Sequence, residues 1–292
     1  QQLHDEFIEN TISNYYLPFG VAPNFLINDK LHTIPMAIEE SSVVAAASKS
    51  AKFWLDRGGF KTKVLSTTKI GQVHFMYYGN PDTLKSYFTE IKPKLIQDVK
   101  PITKNMEKRG GGVIDIELRD KTQDIKGYYQ LHVSFETLDA MGANFINTCL
   151  EEIAKTLENT SKLHTDFILK NTFPEIVMSI LSNYVPECLV KAQVSCPVEE
   201  MSANGMEGKT FVSKFIRAIE IAKIDKRRAV THNKGIMNGI DAVILATGND
   251  FRSVEAGIHA YASKNGNYTS LTNAKIENGI FIFSIEIPLA IG

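Results

Sequence analysis

The stretch Val113-Ile114-Asp115-Ile116-Glu117-Leu118, followed by Tyr128-Tyr129-Gln130-Leu131-His132-Val133, decides the fold class. Both alternate apolar and polar residues with period two after an opening apolar or aromatic pair, the pattern of half-buried strands. Helical spacing of apolar residues follows over 141–157. Two further strands are predicted over 176–181 and 189–194, and an amphipathic helix over 208–224. The order is ββαββα. Short links between consecutive strands favour a small antiparallel sheet with helices on one face over a doubly wound parallel sheet. Residues 110–216 are therefore expected to form a small inserted domain, with 1–109 and 217–292 building a larger one.

Outward from that stretch, residues 4–14 and 42–56 carry apolar residues at helical spacing, with Glu39 and Glu40 just ahead of the second. Residues 81–109 read as a helix kinked or split at Pro93 and Pro101. The run Gly110-Gly111-Gly112 beyond it is a plausible hinge. Near the end, a helix over 250–263 precedes two strands, 270–276 and 280–287, joined through Asn278-Gly279, a strong hairpin signal.

The 292 residues are 43% apolar, enough to bury a sizeable core. Acidic residues number 33 against 32 Lys plus Arg, a net charge of -1, which gives no electrostatic case for nucleic acid or an anionic membrane as partner. Cys149, Cys188 and Cys196 are too few for a disulfide framework or a four-cysteine zinc site, which points to a reducing compartment, the cytoplasm. No window has the roughly 18 uninterrupted apolar residues of a membrane span. The sequence opens at Gln1 and closes on an apolar strand end, so further residues are expected at both ends.

Seven histidines form no His-x-x-x-His pair and no Cys-x-x-Cys occurs, so no metal site is expected. Gly-x-Ser-x-Gly, phosphate-loop and Gly-x-Gly-x-x-Gly patterns are missing too. The segment 227–241 packs cations, amides and glycines beside apolar residues, and a lysine buried there needs a partner or a task. Asp250, sixteen residues after Lys234, could meet it at the end of a strand or helix, as a catalytic partner or as a plain ion pair. Asp139-Ala140-Met141-Gly142-Ala143-Asn144 sits where a strand gives way to a helix, a place suited to a phosphate, although Asp139 as an ordinary cap explains the same residues and, taken alone, is the favoured reading.

In order along the chain, these segments resemble the class II, bacterial-type 3-hydroxy-3-methylglutaryl-CoA (HMG-CoA) reductases. The resemblance rests on Glu9-Asn10-Thr11-Ile12, Pro23-Asn24, 39–48, 109–112, 139–144, 180–183, 231–241 and 246–257, with His-Asn-Lys-Gly-Ile-Met-Asn-Gly-Ile and Ala-Thr-Gly-Asn-Asp the most specific strings. It implies a mixed α/β (α+β) fold: a large substrate domain and a small ferredoxin-like domain for the dinucleotide. It also implies interconversion of HMG-CoA with mevalonate and coenzyme A by two hydride transfers, without a metal.

Carried over by position, the resemblance assigns Lys234 as catalytic lysine, Asp250 as its aspartate and Glu40 as catalytic glutamate. The ammonium suits a developing oxyanion, and a glutamic acid with a raised pKa suits the later proton transfer. Arg228 and Asn238 match positions that bind the carboxylate and hydroxyl of the HMG group, and Ser42 one that assists; Asp139, Gly142, Asn144 and Asn183 match the dinucleotide face. Asp115 resembles an acid that faces the adenosine ribose, which favours NADH over NADPH. His232 is expected to be structural. The family's glutamate comes from across a subunit interface, so at least a homodimer is expected.

Two departures stand out: Ser41 replaces the usual Pro between Glu40 and Ser42, and Ser13 replaces Gly. None of the seven histidines matches the family's donor to the departing CoA thiolate, which lies in a C-terminal segment beyond Gly292. The alternative expectation is an acyl-CoA and dinucleotide binding protein with impaired thioester cleavage.

Overall fold

A computed structural model describes residues 8–202 and 205–292. Its strands and helices begin with β1 (Phe19–Ile27), β2 (Lys30–Ala37), α1 (Val43–Leu55), β3 (Lys61–Val64), β4 (Thr68–Met76), α2 (Pro81–Asp98), α3 (Lys100–Glu107), β5 (Gly112–Asp120) and β6 (Tyr128–Glu136). There follow α4 (Ala143–Ser161), α5 (Thr165–Lys170), β7 (Glu175–Leu181), β8 (Leu189–Pro197), α6 (Gly208–Ile224), α7 (Lys226–Ala246), α8 (Phe251–Ala262), β9 (Thr272–Glu277) and β10 (Ile280–Pro288). The sheets are β1-β2, β3-β8-β10-β9 and β5-β6-β4-β7. The chain packs as two units, one of residues 1–62, 192–251 and 268–284, the other of 63–191, 252–267 and 285–292.

In the first unit, β1 and β2 form an antiparallel ribbon closed by Asn28 and Asp29, both at positive φ, as a tight hairpin turn whose twist matches its strands requires. Ala242 of α7 packs on Ala22 and Met36 of that ribbon. That contact seats α7 beside the chain that leaves β2 at Ala37 and carries Glu40. Trp54, Val194, Val212, Ile219 and Phe281 form a second core in the same unit. Asn278 and Gly279 take φ values of 51° and 77° between β9 and β10, so the expected hairpin turn forms.

In the second unit, β4 pairs antiparallel with β6 (Gly71↔Val133) and with β7 (Gly71↔Leu181). Alternate residues of these strands, among them Val73, Phe75, Leu131, Val133 and Phe135, join Ile146, Leu150 and Ile153 of α4 in the core. Gly71 marks the closest approach, since a Cβ there would lie 2.5 Å from a Leu150 methyl. Asn80 caps α2 by accepting from the amides of Asp82 (2.7 Å) and Thr83 (3.3 Å), with Pro81 in the first turn.

Several expectations are corrected. The six elements of the ββαββα reading all form, yet β8 leaves the small sheet for the β3-β8-β10-β9 sheet, and β4 fills its place between β6 and β7. Packing accordingly divides the chain after 62 and after 191 rather than at 110 and 216: β4 and α2 belong with the small sheet, while α6 packs through Val212 and Ile219 onto Trp54. The triple glycine lies inside the second unit and turns the chain from α3 into β5. Helix α2 runs through Pro93, and the split comes at Val99, with Pro101 in the first turn of α3. Part of the helix expected over 4–14 lies outside the described residues, and 8–14 form a turn and irregular chain. Among the described residues no helix is long and apolar enough to cross a membrane.

Candidate active site

The segment 227–241 is one helix, α7, capped by Asp225, whose carboxylate accepts from the Arg228 amide at 2.9 Å. Lys234 and Asn238 are four residues apart and so share one face. Lys234 Nζ donates to Glu40 Oε2 at 2.6 Å, and Asn238 Nδ2 donates to the same oxygen at 3.1 Å. Three residues that the sequence nominated separately therefore meet at one carboxylate. The pair is open to solvent, with 62% of the Lys234 side chain and 46% of the Glu40 side chain exposed.

The expected direction of the Glu40 pKa shift changes. The hydrogen bond from Lys234, with its charge, holds the Glu40 carboxyl below its ordinary range, the reverse of the raised pKa expected for a proton donor. Glu40 and Lys234 of one chain form this pair. Between them, Ser42 caps α1 at φ 71° with no capping bond from its own side chain, where cap residues usually take an extended backbone. A serine held in the left-handed region costs on the order of 1–3 kcal/mol, and such strain clusters at functional sites.

Arg228 sits six residues before Lys234, about 120° around the helix, so the two do not share a row. It neighbours His232, whose imidazole burial, with some help from that guanidinium, holds below its ordinary pKa. His232 Nε2 is 2.7 Å from the Thr272 hydroxyl, a structural contact. Asn233 is fully buried, donating to the Thr269 carbonyl at 2.9 Å and accepting from the Leu271 amide at 3.1 Å. Asp250 is exposed and stands one residue ahead of α8. From Lys234 to Ala246 the helix rises about 18 Å, so α7 by itself does not bring lysine and aspartate together.

The dinucleotide candidates lie in the second unit. Glu136 secures the loop after β6 by accepting from the Leu138 amide at 2.7 Å and from the Thr67 hydroxyl. Thr137 donates to the Ala140 carbonyl at 2.6 Å. Gly142 opens α4 at φ 79°, and a Cβ there would lie 2.6 Å from the Thr137 methyl, so only glycine fits. Asp139 and Asn144 are exposed on either side of it. Asn183 Oδ1 accepts from Ser253 Oγ at 2.9 Å, and a Cβ on Gly257 would lie 2.5 Å from the Asn183 carbonyl oxygen. Met141, Ala143, Asn183, Ser253 and Lys69 line one small cavity. Asp115 lies on β5, ion-paired with Lys92 at 2.6 Å, a contact that holds its carboxyl below the usual range. Lys69 and Ser253 escaped the sequence reading.

On this mixed α/β chain a lysine and an asparagine of one helix face converge on a glutamate, and a separate sheet unit carries a glycine-initiated helix. The sequence matches the hydroxymethylglutaryl-coenzyme A reductase family over residues 1–292, and the chain belongs to that family. It is 38% identical over 289 residues to 3-hydroxy-3-methylglutaryl-coenzyme A reductase of Archaeoglobus fulgidus, covering 99% of this chain and 62% of that protein. It is 34% identical to a probable reductase of the same name from Borreliella burgdorferi, covering 99% of this chain and 64% of that one. The chain thus spans somewhat less than two thirds of the length of these relatives. A structure of the Streptococcus pneumoniae reductase superposes with a TM-score of 0.89 at 33% identity, over 100% of this chain and 67% of that one. A further structure shows the class II Streptococcus pneumoniae enzyme bound to NADPH in open conformations.

Proposed function

We propose that the chain carries the catalytic and dinucleotide-binding parts of an enzyme that interconverts HMG-CoA with mevalonate and coenzyme A at the expense of two NAD(P)H. The convergence of Lys234 and Asn238 on Glu40, inside a chain of this family, carries the reading. The nicotinamide supplies hydride when bound. Lys234 takes the oxyanion that hydride addition to the thioester carbonyl develops, an interaction that strengthens as substrate displaces water from this open pair. The resulting hemithioacetal breaks its C–S bond to release mevaldehyde and the CoA thiolate. Glu40, once protonated, gives its proton to the mevaldehyde oxygen as the second hydride arrives. Asp250 orients Lys234. Arg228 binds the free carboxylate from the adjoining helix face, and Asn238 and Ser42 hold the remaining oxygens. Asp139, Gly142, Asn144 and Asn183 receive the dinucleotide, and Asp115, once Lys92 yields, accepts the ribose diol of NADH.

A homodimer fits the exposed apolar side chains near the start of the described chain, where Ile12, Tyr15 and Tyr16 are each at least 82% exposed. Sedimentation of the purified chain should give at least a dimer, and an active monomer would remove that part of the reading. The test of the activity is oxidation of NADH and NADPH with HMG-CoA and, separately, with mevaldehyde, which bypasses thioester cleavage. Turnover of mevaldehyde is expected from the residues present. Inactivity toward both substrates, from a folded chain that binds NADH, would refute the proposal.

A further inference from the structure

Asn233 is 0% exposed and stands one residue before Lys234 on α7. Ala229 and Met237, four residues to either side, continue its buried row, so an amide occupies a place where an apolar side chain would be cheaper to bury. Its side chain makes two hydrogen bonds, both to one short strap of chain, 269–272, that leads into β9. Nδ2 donates to the Thr269 carbonyl at 2.9 Å, and Oδ1 accepts from the Leu271 amide at 3.1 Å. His232 adds a third link, its Nε2 lying 2.7 Å from the hydroxyl of the buried Thr272. The strap is anchored in turn: Thr269 Oγ1 donates to the Lys223 carbonyl of α6 at 3.0 Å, and the Thr272 amide donates to Ser270 Oγ at 3.1 Å.

Apolar packing by itself sets the rotation of α7 loosely. Ala229 and Ala242 are small, and Gly235 and Gly239, on the side of the helix away from Asn233, carry no side chain and face open space. A turn of about 20° would carry a side-chain end about 5–6 Å from the helix axis through about 2 Å. That is enough to part the 2.6 Å contact of Lys234 with Glu40. Hydrogen bonds are directional, so an amide that donates and accepts across one strap resists both turning and sliding of the helix.

We propose that Asn233, with His232 beside it, is a positioning residue: anchored to the 269–272 strap, it sets the rotation and height of α7 so that Lys234 and Asn238 face the Glu40 carboxylate. The worth of that placement for catalysis rests on the functional reading above; the placement itself does not.

Asn233→Leu keeps the branched shape and removes both bonds to the strap. Carbon-13 titration of the Glu40 carboxyl in the ligand-free chain reads whether Lys234 still meets it, and steady-state reduction of mevaldehyde by NADH reads the consequence. In the variant the Glu40 titration should move to higher pH than in the wild type, and kcat should fall about 10²-fold with the KM for NADH unchanged. A residue that only stabilises the fold would lower the melting temperature and leave both the Glu40 titration and kcat of the folded variant at wild-type values; that result overturns the proposal. A shifted Glu40 titration, in a chain whose wild type does not reduce mevaldehyde, upholds the positioning role and sinks the functional reading. If Asn233→Leu fails to fold, Thr272→Val, which removes the His232 link with little change of shape, decides. A smaller shift of the Glu40 titration in the same direction supports the proposal, and a wild-type titration overturns it.

Discussion

Lys234 and Lys69 are held by opposite means. The first is exposed on α7 and grips a carboxylate at 2.6 Å; the second is buried on β4 with one long hydrogen bond to a carbonyl. Water bears most of the solvation of Lys234, so its ion pair is cheap to break and its ammonium is free to turn to a substrate oxygen. Lys69 has lost most of its water and, among the described residues, pairs with no acid. An exposed lysine is thus suited to chemistry by the ease with which it changes partner, whereas a buried one is fixed by the strand that carries it.

Replacing each member breaks the comparison in turn. Lys234→Met should lower kcat for mevaldehyde reduction by about 10²- to 10³-fold while NADH affinity, measured by fluorescence titration, stays at the wild-type value. Undiminished kcat would move the oxyanion contact elsewhere.

Glu40→Gln should cost about 10²-fold in the same assay, and its pH dependence follows from the ion pair. Lys234 depresses the Glu40 carboxyl below its reference value of 4.5, so the donor form is scarce at neutral pH and kcat should rise as pH falls. For stability the sign is opposite: a depressed carboxyl contributes above its unfolded value and loses that contribution as pH falls through the folded one. In Lys234→Met, the Glu40 carbon resonance should titrate at higher pH than in the wild type. An unmoved titration would show that Lys234 does not set it.

Gly257→Ala sharpens the second region. The new methyl would stand 2.5 Å from the Asn183 carbonyl oxygen, so unfolding should become easier by about 1–3 kcal/mol, with a lower midpoint in denaturant. Unchanged stability would show that α8 is free to shift. The smallest effect is expected at Asp115, whose carboxylate Lys92 already occupies. Asp115→Ala should raise the ratio of NADPH to NADH turnover, and an unchanged ratio would show that this residue does not read the ribose.

The strands and helices that alternate cleanly in sequence are those the fold keeps: β5, β6, α4, β7 and the β9–β10 hairpin were all legible. Strand β4 was not, because Gly71 and the polar residues Lys69, Gln72 and His74 interrupt its apolar pattern, and its pairing with β6 spans some sixty residues. Missing it placed β8 in the wrong sheet and moved the domain boundaries. At the site, Glu40, Lys234 and Asn238 were legible through the family resemblance of the segments that carry them, and their meeting through the α7 seat on the β1–β2 ribbon was not. The sign of the Glu40 shift depended on that meeting. Lys69 was invisible because a lysine in sequence does not announce burial.

The account rests most directly on Lys234. Oxidation of NADH by the purified chain with mevaldehyde, in wild type and in Lys234→Met at saturating dinucleotide, should give turnover in the first and loss of at least about 10²-fold in the second. Equal turnover in the two, with the fold intact, would contradict it.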